Sequence, residues 1–169
     1  MTPNDRLAQA IEQLRFSRNF TLPFLEDLTD EQWYWRPPGF DTHVAWQVGH
    51  IAYAEYSLCL KRVRGRREED ESFAPIGFME LFKIRSYAEP DPADNPSVAE
   101  FRRVLSGVHE RTLAELAETT GEALDTPTEP PHPVFTTKLG AVEWCSKHEL
   151  VHAGQIALLR RLMGKKPLR

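Results

Sequence analysis

The chain has 169 residues, of which 41% are hydrophobic and 27% charged, and carries a formal net charge of -4 from 21 basic and 25 acidic residues. That is ordinary globular composition with room for a core, and it argues against a nucleic-acid-binding surface. No stretch reaches the ~18 apolar residues of a membrane span, the N-terminus Met1-Thr2-Pro3-Asn4-Asp5 lacks a secretion-signal pattern, and the two cysteines, Cys59 and Cys145, fit reduced thiols in a soluble cytoplasmic protein.

Apolar residues recur at Leu7, Ile11, Leu14, Phe20 and Leu25, which predicts a first helix over about 4–27. Pro23 has no amide hydrogen and crowds the preceding turn, so a kink or break is expected near residue 20. Thr29-Asp30-Glu31-Gln32 has the form of a capping box and predicts a single turn. The aromatic run Trp33-Tyr34-Trp35 reads as a plug over the core or a cavity wall.

A second helix is predicted over about 42–63, with Val44, Val48, Ile51, Glu55 and Leu58 on one flank and His50 to its side. His43 shares a face with His50 but lies ~10 Å away along the axis. The two cannot share an ion, and His43 is expected to be exposed in the first turn. Residues 64–96 hold Pro75, Pro90, Pro92 and Pro96 and read as a long crossover, with a short helical turn between Gly77 and Ile84. Its apolar residues Phe73, Ile76, Phe78 and Phe82 suggest that it packs down. A crossover of that length lets two successive helices run parallel.

Ser97 followed by Glu100 predicts a capped third helix over about 97–120, with Phe101, Val104, Leu105, Val108, Thr112 and Leu116 inward and Gly121 just past its end. His109 is expected at the surface. Pro127, Pro130, Pro131 and Pro133 make the next stretch a loop, and His132 within it has no partner at ligand spacing. The fourth helix is predicted over about 137–163, ended by Gly164. Taken together, residues 1–169 are expected to be one all-α domain.

The fourth helix carries the chemistry. Val142, Cys145, His148/Glu149, His152, Ile156, Leu159 and Met163 form a heptad-like seam. His148 and His152 are four apart and stack on one face. Two inward imidazoles need hydrogen-bond partners or a shared metal. Two imidazoles at this spacing can chelate one ion, and a nitrogen from His50 would leave a coordination position open. Cys145 is either a small core residue or a ligand paired with His148 at the expense of His152, because residues 145 to 152 span ~10 Å.

Two motifs carry a resemblance. Trp46-Gln47-Val48-Gly49-His50-Ile51-Ala52 on the second helix and Lys147-His148-Glu149-Leu150-Val151-His152-Ala153-Gly154-Gln155 on the fourth resemble the DinB-like family, which includes bacillithiol-transferase-type members. Trp33 to Pro37 and Asp91 to Phe101 resemble its entries into the second and third helices. The resemblance spans almost the whole chain. It implies an up-down-down-up four-helix bundle with a long crossover between helices two and three. It also implies a divalent metal (zinc, nickel or iron) on His50, His148 and His152.

By the same resemblance the function is that of a metal-dependent enzyme, an S-transferase type using a low-molecular-weight bacterial thiol. The alternatives are a metal-dependent hydrolase, or a non-enzymatic metal-binding or stress-associated bundle. A small-molecule substrate and a homodimer are the expected partners. Glu55 and Glu149 are candidates to orient an imidazole N–H, and Gln47 and Gln155 are candidates to line the pocket. The sequence assigns no catalytic residue.

Overall fold

Helix α1 (Pro3–Thr21) is started by a reciprocal cap. The Thr2 hydroxyl accepts from the Asp5 N–H, and the Asp5 carboxylate accepts from the Thr2 N–H at 2.9 Å. The computed structural model describes residues 1–168. In it, α1 does not run on to residue 27. The chain tightens at Leu22–Leu25 into a 3-10 turn around Pro23, which has no N–H for the ladder. A short α2 (Asp30–Tyr34) follows, with the Gln32 side chain accepting from the Thr29 N–H at 3.1 Å. It delivers Trp33 into the core, where the ring lies 6.0 Å from Phe101.

Helix α3 (Val44–Glu55) passes into a π-helical turn, Tyr56–Lys61, and ends as α4 (Arg62–Arg64). The wider turn rotates successive side chains less, so Leu58, Cys59 and Leu60 are all buried. The crossover contains a 3-10 turn, Glu68–Ser72, then α5 (Ile76–Leu81) and a 3-10 turn at Pro92–Asp94. Phe78 and Phe82 pack it onto Phe101, with ring centroids 5.4 and 5.1 Å from the Phe101 ring.

Helix α6 (Val98–Ala117) is capped by the Ser97 hydroxyl, which accepts from the Glu100 N–H. The Glu100 carboxylate does not reach back to complete a box; Arg103 takes both of its oxygens. The helix stops at Ala117, short of the expected 120, because Thr120 caps a separate turn, α7 (Gly121–Leu124). A Cβ on Gly121 would lie 2.0 Å from the Pro3 carbonyl oxygen, so only glycine lets α7 close onto the start of α1. Helix α8 (Lys138–Leu162) begins at Thr137 and is followed by Gly164 at φ 82°. No described helix is long and apolar enough to cross a membrane, and the described residues contain no strand, only an isolated bridge between Pro127 and Thr137.

Side-chain pairs give the relative helix directions. Arg6 bonds Glu143 near the starts of α1 and α8, and Arg160 bonds the Phe24 carbonyl near their ends, so these two run the same way. Gln47 meets Gln155 while Lys138 bonds the Val63 carbonyl, so α3 and α8 are antiparallel. Glu55 meets His109 and Arg64 meets Glu115, so α3 and α6 are parallel.

Beneath α4 the Arg64 guanidinium binds both oxygens of the fully buried Asp70 and both of Glu115. Burial alone would raise the Asp70 carboxyl. The Arg64 hydrogen bonds, the Arg67 N–H and the Tyr56 hydroxyl outweigh it and pull the carboxyl down to about 2 from an ordinary 3.8. A carboxyl lowered on folding stabilises the fold above its unfolded pKa and loses that contribution as pH falls through its folded one. Asp70 therefore contributes about 2 kcal/mol at neutral pH, lost between about pH 4 and pH 2. Denaturant titrations at stepped pH should show an acid-side loss that Asp70→Asn flattens.

Candidate metal centre

His50 on α3 and His148 and His152 on α8 converge in the groove between the two helices. Ligand nitrogens of all three lie within 4.8 Å of one another. Ring centroids are 4.5 Å apart for His148 and His152, 4.9 Å for His50 and His152, and 5.3 Å for His50 and His148. His50 and His152 are buried and His148 is half-buried.

The hydrogen bonds of the rings decide which nitrogens are free. The His50 Nδ1–H donates to the Phe82 carbonyl at 2.7 Å. A carbonyl only accepts, so the proton sits on Nδ1 and the Nε2 lone pair is available. The His152 Nδ1–H donates to the Gln47 Oε1 at 2.6 Å. Gln47 in turn donates from Nε2 to the Thr42 hydroxyl at 2.8 Å and to the Gln155 Oε1 at 2.9 Å, so its Oε1 faces the His152 ring. His152 therefore also offers Nε2. His148 has no hydrogen-bond partner among the described residues.

All three rings are held neutral. Burial, then the neighbouring His148 and His50, push His152 down to about 3. Burial and His50 take His148 to about 4. Burial also lowers His50, against the pull of the Phe82 carbonyl. Three neutral imidazoles, two with their far nitrogens fixed by an acceptor, are the donor set a divalent ion takes from histidine.

The crossover holds this arrangement in place. Three ring N–H groups from one side of α3 fasten onto it. His43 donates from Nε2 to the Glu89 carbonyl at 3.0 Å, Trp46 from Nε1 to the Ser86 hydroxyl at 3.1 Å, and His50 to the Phe82 carbonyl. The Trp46 ring stacks on His50 at 5.0 Å with 6° between planes. His43 is thus not exposed; it is fully buried and caps α3 by accepting the Trp46 N–H on Nδ1. A Cβ on Gly49 would lie 2.5 Å from the Phe82 ring. Gly49→Ala should displace Phe82, and with it the carbonyl that orients His50. The expected result is overpacking of about 1–3 kcal/mol, larger than the gain in helix propensity, together with weaker metal retention, read by melting and metal analysis.

Glu55 and Glu149, expected as candidates to orient an imidazole of the site, make no hydrogen bond to His50, His148 or His152 among the described residues. The Arg18 guanidinium donates to Glu55 at 2.8 Å and to Glu149 at 2.9 and 3.3 Å, and to the Leu105 carbonyl at 2.8 Å. His109 completes the cluster, donating from Nδ1 to Glu55 at 2.8 Å. It is partly buried rather than a surface residue, since its side chain is 13% exposed. Burial would raise the Glu55 carboxyl, but the Arg18 charge and the His109 bond hold it below its ordinary value. Cys145 is a buried core thiol. A hydrogen bond with Cys59, then burial, push it well above its ordinary range, away from the thiolate a metal needs.

Gln47 and Gln155 both stand beside the cluster, Gln47 buried and Gln155 exposed. Sequence reasoning missed the Phe82 and Glu89 carbonyls, which leave no side-chain signature, and Arg18. Arg18 did have one: it follows Leu14 by four on the apolar stripe of α1, where a charge demands a buried partner.

The sequence pattern of the DinB superfamily matches residues 13–156, a span that includes all three imidazoles and the crossover. No curated protein matches the chain.

Proposed function

The chain belongs to the DinB superfamily, and on that premise we propose that it is a divalent-metal protein whose ion is held by His50, His148 and His152 and which catalyses transfer of a low-molecular-weight thiol. The observation that carries the metal reading is the approach of three neutral imidazole nitrogens to within 4.8 Å, two of them on rings anchored through Nδ1. Among the described residues no cysteine or carboxylate joins the three, and Glu55, Glu149 and Cys145 are engaged elsewhere. A three-ligand site leaves room for an exogenous group, as catalytic sites do. A bound divalent ion at such a position lowers the pKa of a thiol or water placed there.

The protein's own residues supply orientation and exclusion. The Phe82 carbonyl and Gln47 fix the two buried rings, Trp46 covers one face of His50, and the half-buried His148 marks the side open to substrate. In the transfer, the thiol sulfur forms a bond to an electrophilic carbon, the leaving group departs from that carbon, and the thiol proton passes to solvent.

The test mixes zinc- or nickel-loaded protein with a bacterial low-molecular-weight thiol and 1-chloro-2,4-dinitrobenzene. Chloride release and thioether formation should rise above the protein-free rate and vanish in His152→Ala. A rate equal to the protein-free control across a panel of thiols and electrophiles, with the metal still bound, would sink the transfer reading and leave a metal-binding bundle.

A further inference from the structure

The imidazole cluster occupies the groove between α3 and α8. Between α1 and α6 lies a cavity of about 430 Å³ that contains none of its residues. Leu22, Leu25, Leu105 and Leu113 give it an apolar wall, and two polar groups of the buried ion cluster, Arg18 and His109, line it together with the exposed Asn19.

Each of those two has one function left over. A guanidinium carries five N–H groups. In Arg18, Nε and Nη2 serve the two glutamates and one Nη1 N–H serves the Leu105 carbonyl, so a second Nη1 N–H remains without an acceptor among the described residues, on a side chain only 4% exposed. His109 gives Nδ1 to Glu55, and its Nε2 makes no hydrogen bond among the described residues. Leu105, which receives Arg18, is one helical turn before His109 on α6, so both groups open on the same face of that helix. Arg15 and Arg102 stand at the rim, Arg15 exposed and without a partner among the described residues. Glu110, an acid at this groove, is engaged by the Ser106 hydroxyl at 3.0 Å.

We propose that this groove is a second binding site, for a small carboxylic acid with an apolar body. One carboxyl oxygen accepts from the free Arg18 Nη1 N–H. The other shares a proton with His109 Nε2, and the same O···N hydrogen bond forms whether the acid or the imidazole holds that proton. The body lies along the four leucines, and Arg15 and Arg102 favour the anion on approach. This site is independent of the metal reading.

The test uses the full chain, stripped of metal with a chelator, and octanoate as the probe, followed by backbone amide NMR. Octanoate should saturate with shifts on Leu22, Leu25 and the Leu105 to Leu113 face of α6. Octan-1-ol, which forgoes the charge-assisted bonds, should bind about tenfold weaker. Ser106→Trp fills the groove from an exposed position whose side chain, among the described residues, bonds Glu110 alone, and should abolish binding. If that variant misfolds, Arg15→Ala, which loses no described bond, should weaken binding roughly two- to fivefold. Absence of saturable binding, equal binding of octanol, binding that survives Ser106→Trp, or shifts confined to the imidazole residues would each overturn the proposal.

Discussion

Arg18→Met is expected to cost about 3–5 kcal/mol, because it strands two buried carboxylates without a counter-charge. Glu55 is 1% and Glu149 2% exposed, and Arg18 bonds both. Methionine matches the length of the stem but leaves each oxygen that faced the guanidinium desolvated. For a chain of this size the melting point should fall by roughly 10 °C. Arg18→Lys should recover only part of the loss, since an ammonium lacks the planar fork that reaches two acids and the Leu105 carbonyl together. The triple change Arg18→Met, Glu55→Gln, Glu149→Gln should be more stable than Arg18→Met alone, because it removes the charges that were left unpaired. Urea midpoints measure all three. A loss under about 1 kcal/mol for Arg18→Met would mean that water reaches the glutamates and that the cluster does not tie α1 to α3 and α8.

Gln47→Leu should weaken metal binding about 10–100-fold while leaving the helices intact. The side chain is nearly isosteric, but it removes the acceptor that holds the His152 proton on Nδ1 and points Nε2 at His50 and His148. Without it the ring can rotate or change tautomer, and binding must then supply the ordering itself. Gln47→Glu keeps an oxygen facing His152 and should retain most of the affinity, although it gives up donation to Thr42 and Gln155. Competition with a chromophoric chelator reads both variants. Equal affinity for Gln47→Leu and the parent protein would show that the Gln47 bond does not order the ligand.

The long helices were legible because their apolar periodicity, Ser97, Thr137 and Gly164 are local signals of start and stop. The His148 and His152 pair was legible because two imidazoles one turn apart fall on an apolar seam. At the ends of α1 and α6 a local effect competes with periodicity; the break near residue 20 was legible from Pro23, whereas the stop of α6 at Ala117 was not. Pro23 converts the last turn of α1 to 3-10, and Thr120 restarts the chain as α7. The π-helical turn at Tyr56–Lys61 has no marker in composition. His43 and His109 were misread for a shared reason. Each is polar and flanks an apolar stripe, and only tertiary partners, the Glu89 carbonyl for one and Glu55 for the other, decide that it goes inside. The same holds for Glu55 and Glu149. A carboxylate next to a metal-binding motif looks like support for the motif until Arg18 arrives from 37 and 131 residues away in sequence.

We propose that His50, from a separate helix, completes one site with His148 and His152. This is tested most directly by metal analysis of tag-free protein beside His50→Ala prepared in parallel. About one divalent ion per chain is expected in the parent protein, with loss of that ion in His50→Ala and the helical spectrum unchanged. Full metal content and an unchanged melting point in His50→Ala would contradict the shared site.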